Sequence, residues 1–218
     1  MVLTFKVRGL GSCLKWNAIM KLIAKEEPNL IFLQETKLQS VDDKIYGAMW
    51  GDAFEEWRQV PAVGALGGIQ CFWELGSLQV IDWMGGKKFL YIQGRWCGGS
   101  EVINIVNAYS PGSINEMILW EELVKLKKRV RSGMSCVLGD FNGNSEFNSF
   151  INNIELFELP WVGRLFTWVK ARGGAMNKLD RVLVSTKWLQ LWPNSTQSAL
   201  DRSTSDHRPI LVNQKHVD

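Results

Sequence analysis

Two short, continuously apolar runs constrain the fold more than any other feature of the sequence. They are "LIFLQ" at 30–34 and "CVLG" at 136–139, and neither shows the polar alternation of a half-exposed strand. Such runs are typical of strands that are covered on both faces. Each follows a segment with helical signals, at 12–26 and at about 113–131, where Ser113 to Glu116 fits a capping box. Helices are therefore predicted to lie outside buried strands.

The middle of the chain, from 54 to 108, has a different pattern. Five β-rich runs are separated by glycine pairs at 67–68, 85–86 and 98–99, which predicts antiparallel hairpins. Other predicted strands are 2–7, 165–170, 178–185, "TQSAL" and "RPILV", with short helices near 146–153 and in "TKWLQLW". With 218 residues, 46% of them hydrophobic, one domain over 1–218 is predicted. The mixture favours two stacked sheets with helices outside.

Charge and cysteine usage exclude few classes of protein. The net charge of +3 is compatible with a polyanionic partner but does not argue for one. The first residues are too charged for a secretory signal, and no apolar run approaches the ~18 residues of a membrane span. The four cysteines show no zinc spacing. A monomer in the nucleus or cytoplasm is predicted, neither secreted nor bound to a membrane.

Polar side chains follow several of the buried runs. Glu35 ends "LIFLQ", Tyr109 ends "VINIVNA", and Asp140 ends "CVLG". Strands that share a sheet bring their loop ends to a common rim, where open α/β sheets hold ligands. The side chains predicted to meet at this rim are Glu35, Tyr109, Asp140, Asn142, Asp180, Asp206 and His207.

These residue types suit one kind of chemistry. Glu35 and Asp206 offer hard oxygen ligands, which are appropriate for Mg²⁺ or Mn²⁺ and not for zinc. His207 beside a carboxylate is an oriented imidazole, and Asn142 and Tyr109 can donate hydrogen bonds to developing negative charge. Together they describe metal-assisted attack of water on a phosphate ester. Taken singly, each has an ordinary structural explanation as a turn, loop or strand-end residue, so the prediction depends on the joint pattern.

Several motifs occur in an order that resembles the endonuclease/exonuclease/phosphatase superfamily. They are "FKVRGLG", "PNLIFLQETK", "NAYSPG", "VLGDFN", "GRLFTW", "KLDRVLVS" and "SDHRPI", and they span residues 5–210. The sequence is most similar in this respect to the endonuclease domain of plant LINE-type (non-LTR) retrotransposons. The resemblance implies a DNase I-like α/β fold, a four-layer α/β/β/α sandwich of two mixed sheets.

The resemblance also implies roles for the residues at the rim. Glu35 would hold the divalent metal, with help from Asp206, which would otherwise orient the histidine. Asp140 would orient or deprotonate the attacking water. Asn142 would contact the phosphate, and Tyr109 would support the metal-bound phosphate or the leaving group.

The remaining implied roles concern phosphate and DNA. His207, paired with Asp180, would bind the scissile phosphate and stabilise the pentacovalent state. Substrate contacts are expected from Arg8, Phe166, Trp168 and Arg172. The aromatic members of this group equally fit core packing.

One residue departs from the family pattern. The first motif usually carries an asparagine beside the metal and the phosphate, and Lys6 stands at that position. An amine ~3–4 Å from Glu35 would compete with a divalent cation for the carboxylate. Three outcomes are open: the amine swings away, it contacts phosphate in place of the asparagine, or it occupies the metal position. Lys6 is therefore counted with the catalytic residues.

Three functions follow from this pattern. The first is a Mg²⁺- or Mn²⁺-dependent endonuclease that nicks DNA, as a retrotransposon does to prime reverse transcription. The second is a catalytically impaired or repurposed copy in which Lys6 blocks the metal. The third keeps the chemistry but hydrolyses a small phosphoester or diphosphate.

Overall fold

A computed structural model describes residues 1–40, 56–110, 116–130, 133–141, 145–170 and 174–213. In chain order, the strands and helices of these residues are β1 (Val2–Lys6), α1 (Cys13–Glu26), β2 (Leu30–Gln34), β3 (Glu56–Val63), β4 (Leu66–Trp73), β5 (Leu78–Gly85), β6 (Phe89–Trp96), β7 (Val102–Tyr109), α2 (Glu116–Arg129), β8 (Met134–Asp140), α3 (Ser145–Ile154), β9 (Phe157–Glu158), β10 (Trp168–Val169), β11 (Met176–Asn177), β12 (Asp180–Val184), α4 (Thr186–Leu191), β13 (Thr196–Ala199) and β14 (Ile210–Asn213).

The first sheet contains the apolar run 30–34 near its centre. Its strand order is β13-β14-β1-β2-β4-β3. Strands β1 and β2 are parallel, and α1 makes the crossover between them, as a parallel pair requires. The other pairs are antiparallel, so the sheet is mixed. Both faces of β2 are covered, which agrees with its uninterrupted apolar sequence.

The second sheet repeats this arrangement with other strands. Its order is β5-β6-β7-β8-β12-β9. Strands β7 and β8 are parallel, with α2 in the segment that connects them, and the remaining pairs are antiparallel. Each sheet therefore has one parallel pair of buried strands, and their carboxyl ends are where polar residues follow in the sequence.

Three apolar clusters build four layers. The cluster between the sheets joins Phe32 and Trp73 of the first sheet to Ile105 and Leu138 of the second. A second cluster covers the outer face of the first sheet with α1, and a third packs α2 and α3 on the outer face of the second. The predicted fold class, two mixed sheets face to face with helices outside, is confirmed.

A buried polar bridge crosses the inter-sheet core. The Gln34 amide donates hydrogen bonds to Thr4 Oγ1 (2.8 Å) and Asn107 Oδ1 (2.6 Å). The Asn107 amide in turn donates to the carbonyl oxygen of Leu33 (3.3 Å) and that of Gln70 (3.2 Å). Because buried amides are costly when unpaired, this bridge favours one relative placement of the two sheets.

The structure differs from the sequence prediction in the 165–170 region. Only Trp168–Val169 is a strand there, and it pairs with β11. The Thr167 hydroxyl accepts the backbone N–H groups of Leu179 and Asp180, both at 3.0 Å, so a side chain replaces ladder bonds. The predicted capping box before α2 lies outside the described residues, apart from the backbone of Glu116. No helix among the described residues is both long and apolar enough to cross a membrane.

Candidate active site

The two parallel strand pairs end beside each other. In the first sheet, Lys6 at the end of β1 is in register with Gln34, and Glu35 follows. In the second, Tyr109 is in register with Asp140, and Asp180 pairs with Asp140 from the other side. The sequence placed these ends on the rim of one sheet. The structure instead places them at the adjoining ends of two stacked sheets, because strands β3 to β6 separate the two parallel pairs along the chain and the pairs belong to different sheets.

The backbone that carries the first-sheet residues has an uncommon conformation. Arg8, Glu35 and Lys37 have φ values of 53°, 54° and 59°, in the left-handed region that residues other than glycine rarely adopt. Hydrogen bonds hold the segment, including Gly9 N–H to the Glu35 carbonyl (2.6 Å) and Lys15 Nζ to the Arg8 carbonyl (2.6 Å). Backbone strain of this kind concentrates at functional sites.

An acid–histidine cluster lies at the second-sheet side. His207 Nδ1 donates to Asp180 Oδ2 at 2.7 Å, and both side chains are buried. Burial alone would lower the pKa of His207, but the Asp180 charge and hydrogen bond outweigh it, so the pKa is raised. Ser205 orients the segment, accepting the His207 backbone N–H (3.2 Å) and donating to the Lys6 carbonyl (2.8 Å).

Asp140 is buried and paired with Lys6. The Lys6 ammonium donates to Asp140 Oδ2 at 2.7 Å and stands 5.3 Å from the Tyr109 ring centre. Burial and the neighbouring Asp180 charge raise the pKa of Asp140 to about 6, although Lys6 acts in the opposite direction. Lys6 lies 3.7 Å from Glu35, within the range expected from the sequence, but its closest carboxylate is Asp140.

The carboxylate of Glu35 is contacted by three side-chain cations. Lys37 Nζ is 3.3 Å from Oε1, while Lys6 Nζ and Arg8 Nε are 3.7 and 3.9 Å from Oε2. Sequence reasoning missed Lys37, although "ETK" places it two residues after the acid. It also missed that Arg8 reaches carboxylates, because that contact depends on the left-handed turn at residue 8.

Asp206 contacts two residues, Arg8 and Trp168, for which the sequence analysis predicted substrate contacts. Its Oδ2 accepts the Trp168 indole N–H at 2.9 Å and pairs with Arg8. Burial would raise the pKa of Asp206, but the Trp168 hydrogen bond and the charges of His207 and Arg8 lower it. Its other oxygen, Oδ1, is buried without a hydrogen-bond partner among the described residues. Trp168 is therefore part of the site itself and not only of a surface loop.

The described residues show no contact between the site and the other predicted site residues. Phe166 is 45% exposed, and Leu165 next to it is 53% exposed. Asn142 and Arg172 lie outside the described residues. Thr167, which the sequence did not single out, is fully buried and fixes the start of β12 through its hydroxyl. Nothing in its local sequence distinguishes it from an ordinary strand threonine.

The expected metal was tested against these contacts. Ligand atoms of Asp140, Asp180 and His207 lie within 4.8 Å of one another, a spacing that a metal ion could bridge. However, Asp180 and His207 are bonded to each other and Asp140 to Lys6. Glu35 is surrounded by cations, and the orphaned Asp206 oxygen supplies one ligand where Mg²⁺ requires a near-octahedral set. As placed, the residues do not fit a divalent cation at Glu35.

Solved structures with this architecture are similar to the chain at low sequence identity. The AP endonuclease LMAP from Leishmania major gives a TM-score of 0.73 at 18% identity, covering 99% of this chain and 87% of that one. The endonuclease domain of TRAS1, a telomere-specific non-LTR retrotransposon, gives 0.73 at 16%, covering 100% and 99%. The 3′ phosphatase NExo from Neisseria, bound to product DNA hairpin, gives 0.72 at 18%, covering 99% of both chains.

These comparisons define the class of fold. Two mixed sheets with helices outside, and polar side chains where their parallel strands end, make the chain a DNase I-like α/β protein. An endonuclease/exonuclease/phosphatase family protein from Leptotrichia buccalis is similar as well, with a TM-score of 0.69 at 14% identity, covering 99% of both chains. No family model matches the sequence, and no curated protein matches it either.

Proposed function

We propose that this chain is a phosphodiesterase that acts on DNA, of the type found in plant non-LTR retrotransposons. The proposal takes residues 1–218 as one domain that acts as a monomer in the nucleus or cytoplasm. One observation carries it: Asp140 and the Asp180–His207 pair are buried together where the two sheets end. The similarity of the fold to a retrotransposon endonuclease and to a phosphatase bound to product DNA supports DNA as the substrate class.

Asp140 and His207 would divide the chemistry between them. Asp140, with a pKa raised to about 6, is ionised at neutral pH yet basic enough to orient and deprotonate an attacking water. His207 gives its Nδ1–H to Asp180, which leaves Nε2 for a phosphate oxygen. Because its pKa is raised, the imidazole can carry the charge that stabilises the pentacovalent state.

Tyr109 and the predicted DNA contacts complete the proposal. Burial, the charges of Glu35 and Asp140, and a hydrogen bond to Glu35 raise the pKa of Tyr109, so its phenol stays protonated. To donate to the leaving group, the hydroxyl would turn from Glu35 to that oxygen. Asn142 would contact the phosphate. The exposed Phe166, with Trp168 and Arg172, would contact DNA beside the scissile bond.

The family resemblance implies a divalent metal at Glu35, but the three cations that contact this carboxylate argue against one. When bound, Mg²⁺ or Mn²⁺ would supply positive charge to the phosphate, and Glu35 with Asp206 would be the side chains to hold it. A second candidate function, an impaired copy that binds DNA without cutting it, is favoured by the 2.7 Å bond of Lys6 to Asp140. This ammonium occupies an oxygen of the carboxylate that would otherwise accept the proton of water.

Nicking of supercoiled plasmid tests the proposal. Wild type, His207→Asn and Lys6→Asn are compared in Mg²⁺, in Mn²⁺ and in EDTA. His216→Asn is a matched control, because His207 and His216 are the two histidines of the chain. We expect His207→Asn to lower nicking about 100-fold and the control to leave it unchanged.

The outcomes separate the alternatives. Nicking by Lys6→Asn but not by wild type would select the impaired copy. Release of phosphate from small phosphoesters, with no nicking by either protein, would move the substrate class away from DNA. The proposal fails if neither protein cleaves any of these substrates, or if His207→Asn nicks as fast as wild type.

A further inference from the structure

Each carboxylate of the site is paired with a basic side chain of the same chain. Glu35 pairs with Lys6, Arg8 and Lys37, and Arg8 also pairs with Asp206. Of the second-sheet acids, Asp140 pairs with Lys6, and Asp180 pairs with His207. Within the described residues, four carboxylates thus meet four basic side chains. A divalent cation would add two charges to a partly buried cluster in which Lys6, Arg8 and Lys37 already lie within 4 Å of carboxylate oxygens of Glu35, Asp140 and Asp206.

The three cations that contact Glu35 differ in how far their side chains are exposed to solvent. The Lys6 side chain is 11% exposed, and one of its three N–H groups makes a hydrogen bond, to Asp140, in the described part of the chain. The side chains of Arg8 and Lys37 are 49% and 40% exposed at the rim. Lys15 bonds to backbone carbonyls instead and holds the loop that presents Arg8.

We infer that the Lys6 ammonium takes the place of the divalent cation, so that the site holds a phosphodiester through Lys6, Arg8 and Lys37 and excludes Mg²⁺. Lys6 stands between Asp140 and Glu35 and has donors left for a phosphate oxygen. Arg8 and Lys37 can meet the same phosphate or the next one along a strand. This inference rests on the proposed function only in taking a phosphodiester as the ligand.

Direct measurement of metal binding tests the exclusion. Free Mn²⁺ is followed by electron paramagnetic resonance during titration of wild type, Lys6→Asn and Lys21→Asn, which removes the same charge from an exposed position on α1. We expect saturable binding by Lys6→Asn at millimolar Mn²⁺ and none by the other two proteins. Lys6→Gln repeats the test if the asparagine variant does not fold by circular dichroism.

Binding of DNA without metal tests the second part of the inference, that Lys6 contacts a phosphate. The anisotropy of a fluorescein-labelled DNA duplex is measured in EDTA over a range of salt. We expect wild type and Lys21→Asn to bind alike, and Lys6→Asn to lose about tenfold in affinity with a salt slope smaller by about one. Loss of one phosphate contact from the site requires both changes.

The results that overturn the inference do not depend on cleavage. Equal Mn²⁺ binding by wild type and Lys6→Asn would show that the ammonium excludes nothing. Absence of Mn²⁺ binding from both would show that the carboxylates are no metal site even without it. DNA binding in EDTA that is unaffected by Lys6→Asn would remove Lys6 from the phosphate contacts. Plasmid nicking, by contrast, decides only the proposed function.

Discussion

Lys6→Asn should destabilise the protein in a manner that depends on pH. The residue is the counter-ion of Asp140, whose side chain is 1% exposed, and the ammonium lies 2.7 Å from its carboxylate. Even with Lys6 present, burial and Asp180 raise the pKa of Asp140 from 3.8 to about 6. Without the ammonium, this pKa must rise further, because a cation that lowers it from hydrogen-bond distance is lost.

The sign follows from proton linkage. A carboxyl group whose pKa is higher in the folded state binds its proton more tightly there, so the stability it contributes is complete below its unfolded pKa. It is lost as the pH rises through the folded pKa. The difference between 3.8 and about 6 amounts to about 3 kcal/mol lost by wild type above neutral pH. Each further pKa unit in Lys6→Asn adds about 1.4 kcal/mol to that loss.

The expected pattern is therefore a small effect in acid and a large one in base. At about pH 5 Asp140 is mostly protonated in both folded proteins, and the substitution should cost under about 1 kcal/mol. At about pH 8 it should cost about 2–4 kcal/mol, near the lower end for breaking a buried pair, because the asparagine amide can still donate to Asp140.

Urea unfolding followed by tryptophan fluorescence measures this difference. Wild type, Lys6→Asn and Lys21→Asn are unfolded in EDTA across this pH range, and the control should track wild type throughout. A cost of Lys6→Asn that is the same at both ends of the range would refute the reasoning, since the pairing with Asp140 would then contribute nothing beyond packing.

Three further predictions concern single contacts. Asp180→Asn should lower the pKa of His207, measured by NMR titration of the histidine ring, because the carboxylate that outweighs burial is removed; stability that wild type holds below the raised pKa should be lost with it. Trp168→Phe should raise the pKa of Asp206 and cost about 1–2 kcal/mol in urea unfolding, since the indole N–H is lost. Asn107→Leu should cost roughly 2–3 kcal/mol, because carbonyl oxygens of two strands lose their donor.

Much of the fold could be predicted from the sequence because its signals are local. The apolar runs 30–34 and 136–139, the helices before them and the strands between them define the layers, and the structure has all of them. The glycine pair at 67–68, predicted to separate two runs, lies inside β4 instead, and the chain turns just before it, between Val63 and Leu66. The strand predicted over 165–170 is shorter in the structure, Trp168–Val169, for a physical reason. Its aromatic composition favours a strand, but the Thr167 hydroxyl bonds to the backbone at Leu179 and Asp180, a contact that depends on residues twelve and thirteen positions later.

The site was less predictable than the fold. Its acids could be located because each lies at or near the end of a predicted strand: Glu35 and Asp140 where strands end, Asp180 and Asp206 where strands begin. Their partners could not, since the contacts of Arg8 and Lys37 depend on left-handed backbone at residues 8, 35 and 37. The Trp168–Asp206 hydrogen bond requires an indole that composition alone assigns equally to core, site or surface. Long side chains reach across the join between sheets, and sequence spacing does not give that distance.

The fold and the chemistry of this chain respond differently to the residue at position 6. The backbone of Lys6 pairs with Gln34 in β1 and β2, and this pairing requires no particular side chain. An asparagine there would leave the strand pairing of both sheets unchanged. Similarity to two endonucleases and a phosphatase at 16–18% identity therefore shows the architecture but does not show that a metal binds. The Lys6 ammonium, however, lies within 4 Å of carboxylates from both sheets, Glu35 after β2 and Asp140 of β8. A single substitution at a strand end can therefore exchange a bound metal for a covalently attached charge without changing how the strands pair. That exchange makes the cation at position 6, and not the architecture, the feature that decides how this site holds phosphate.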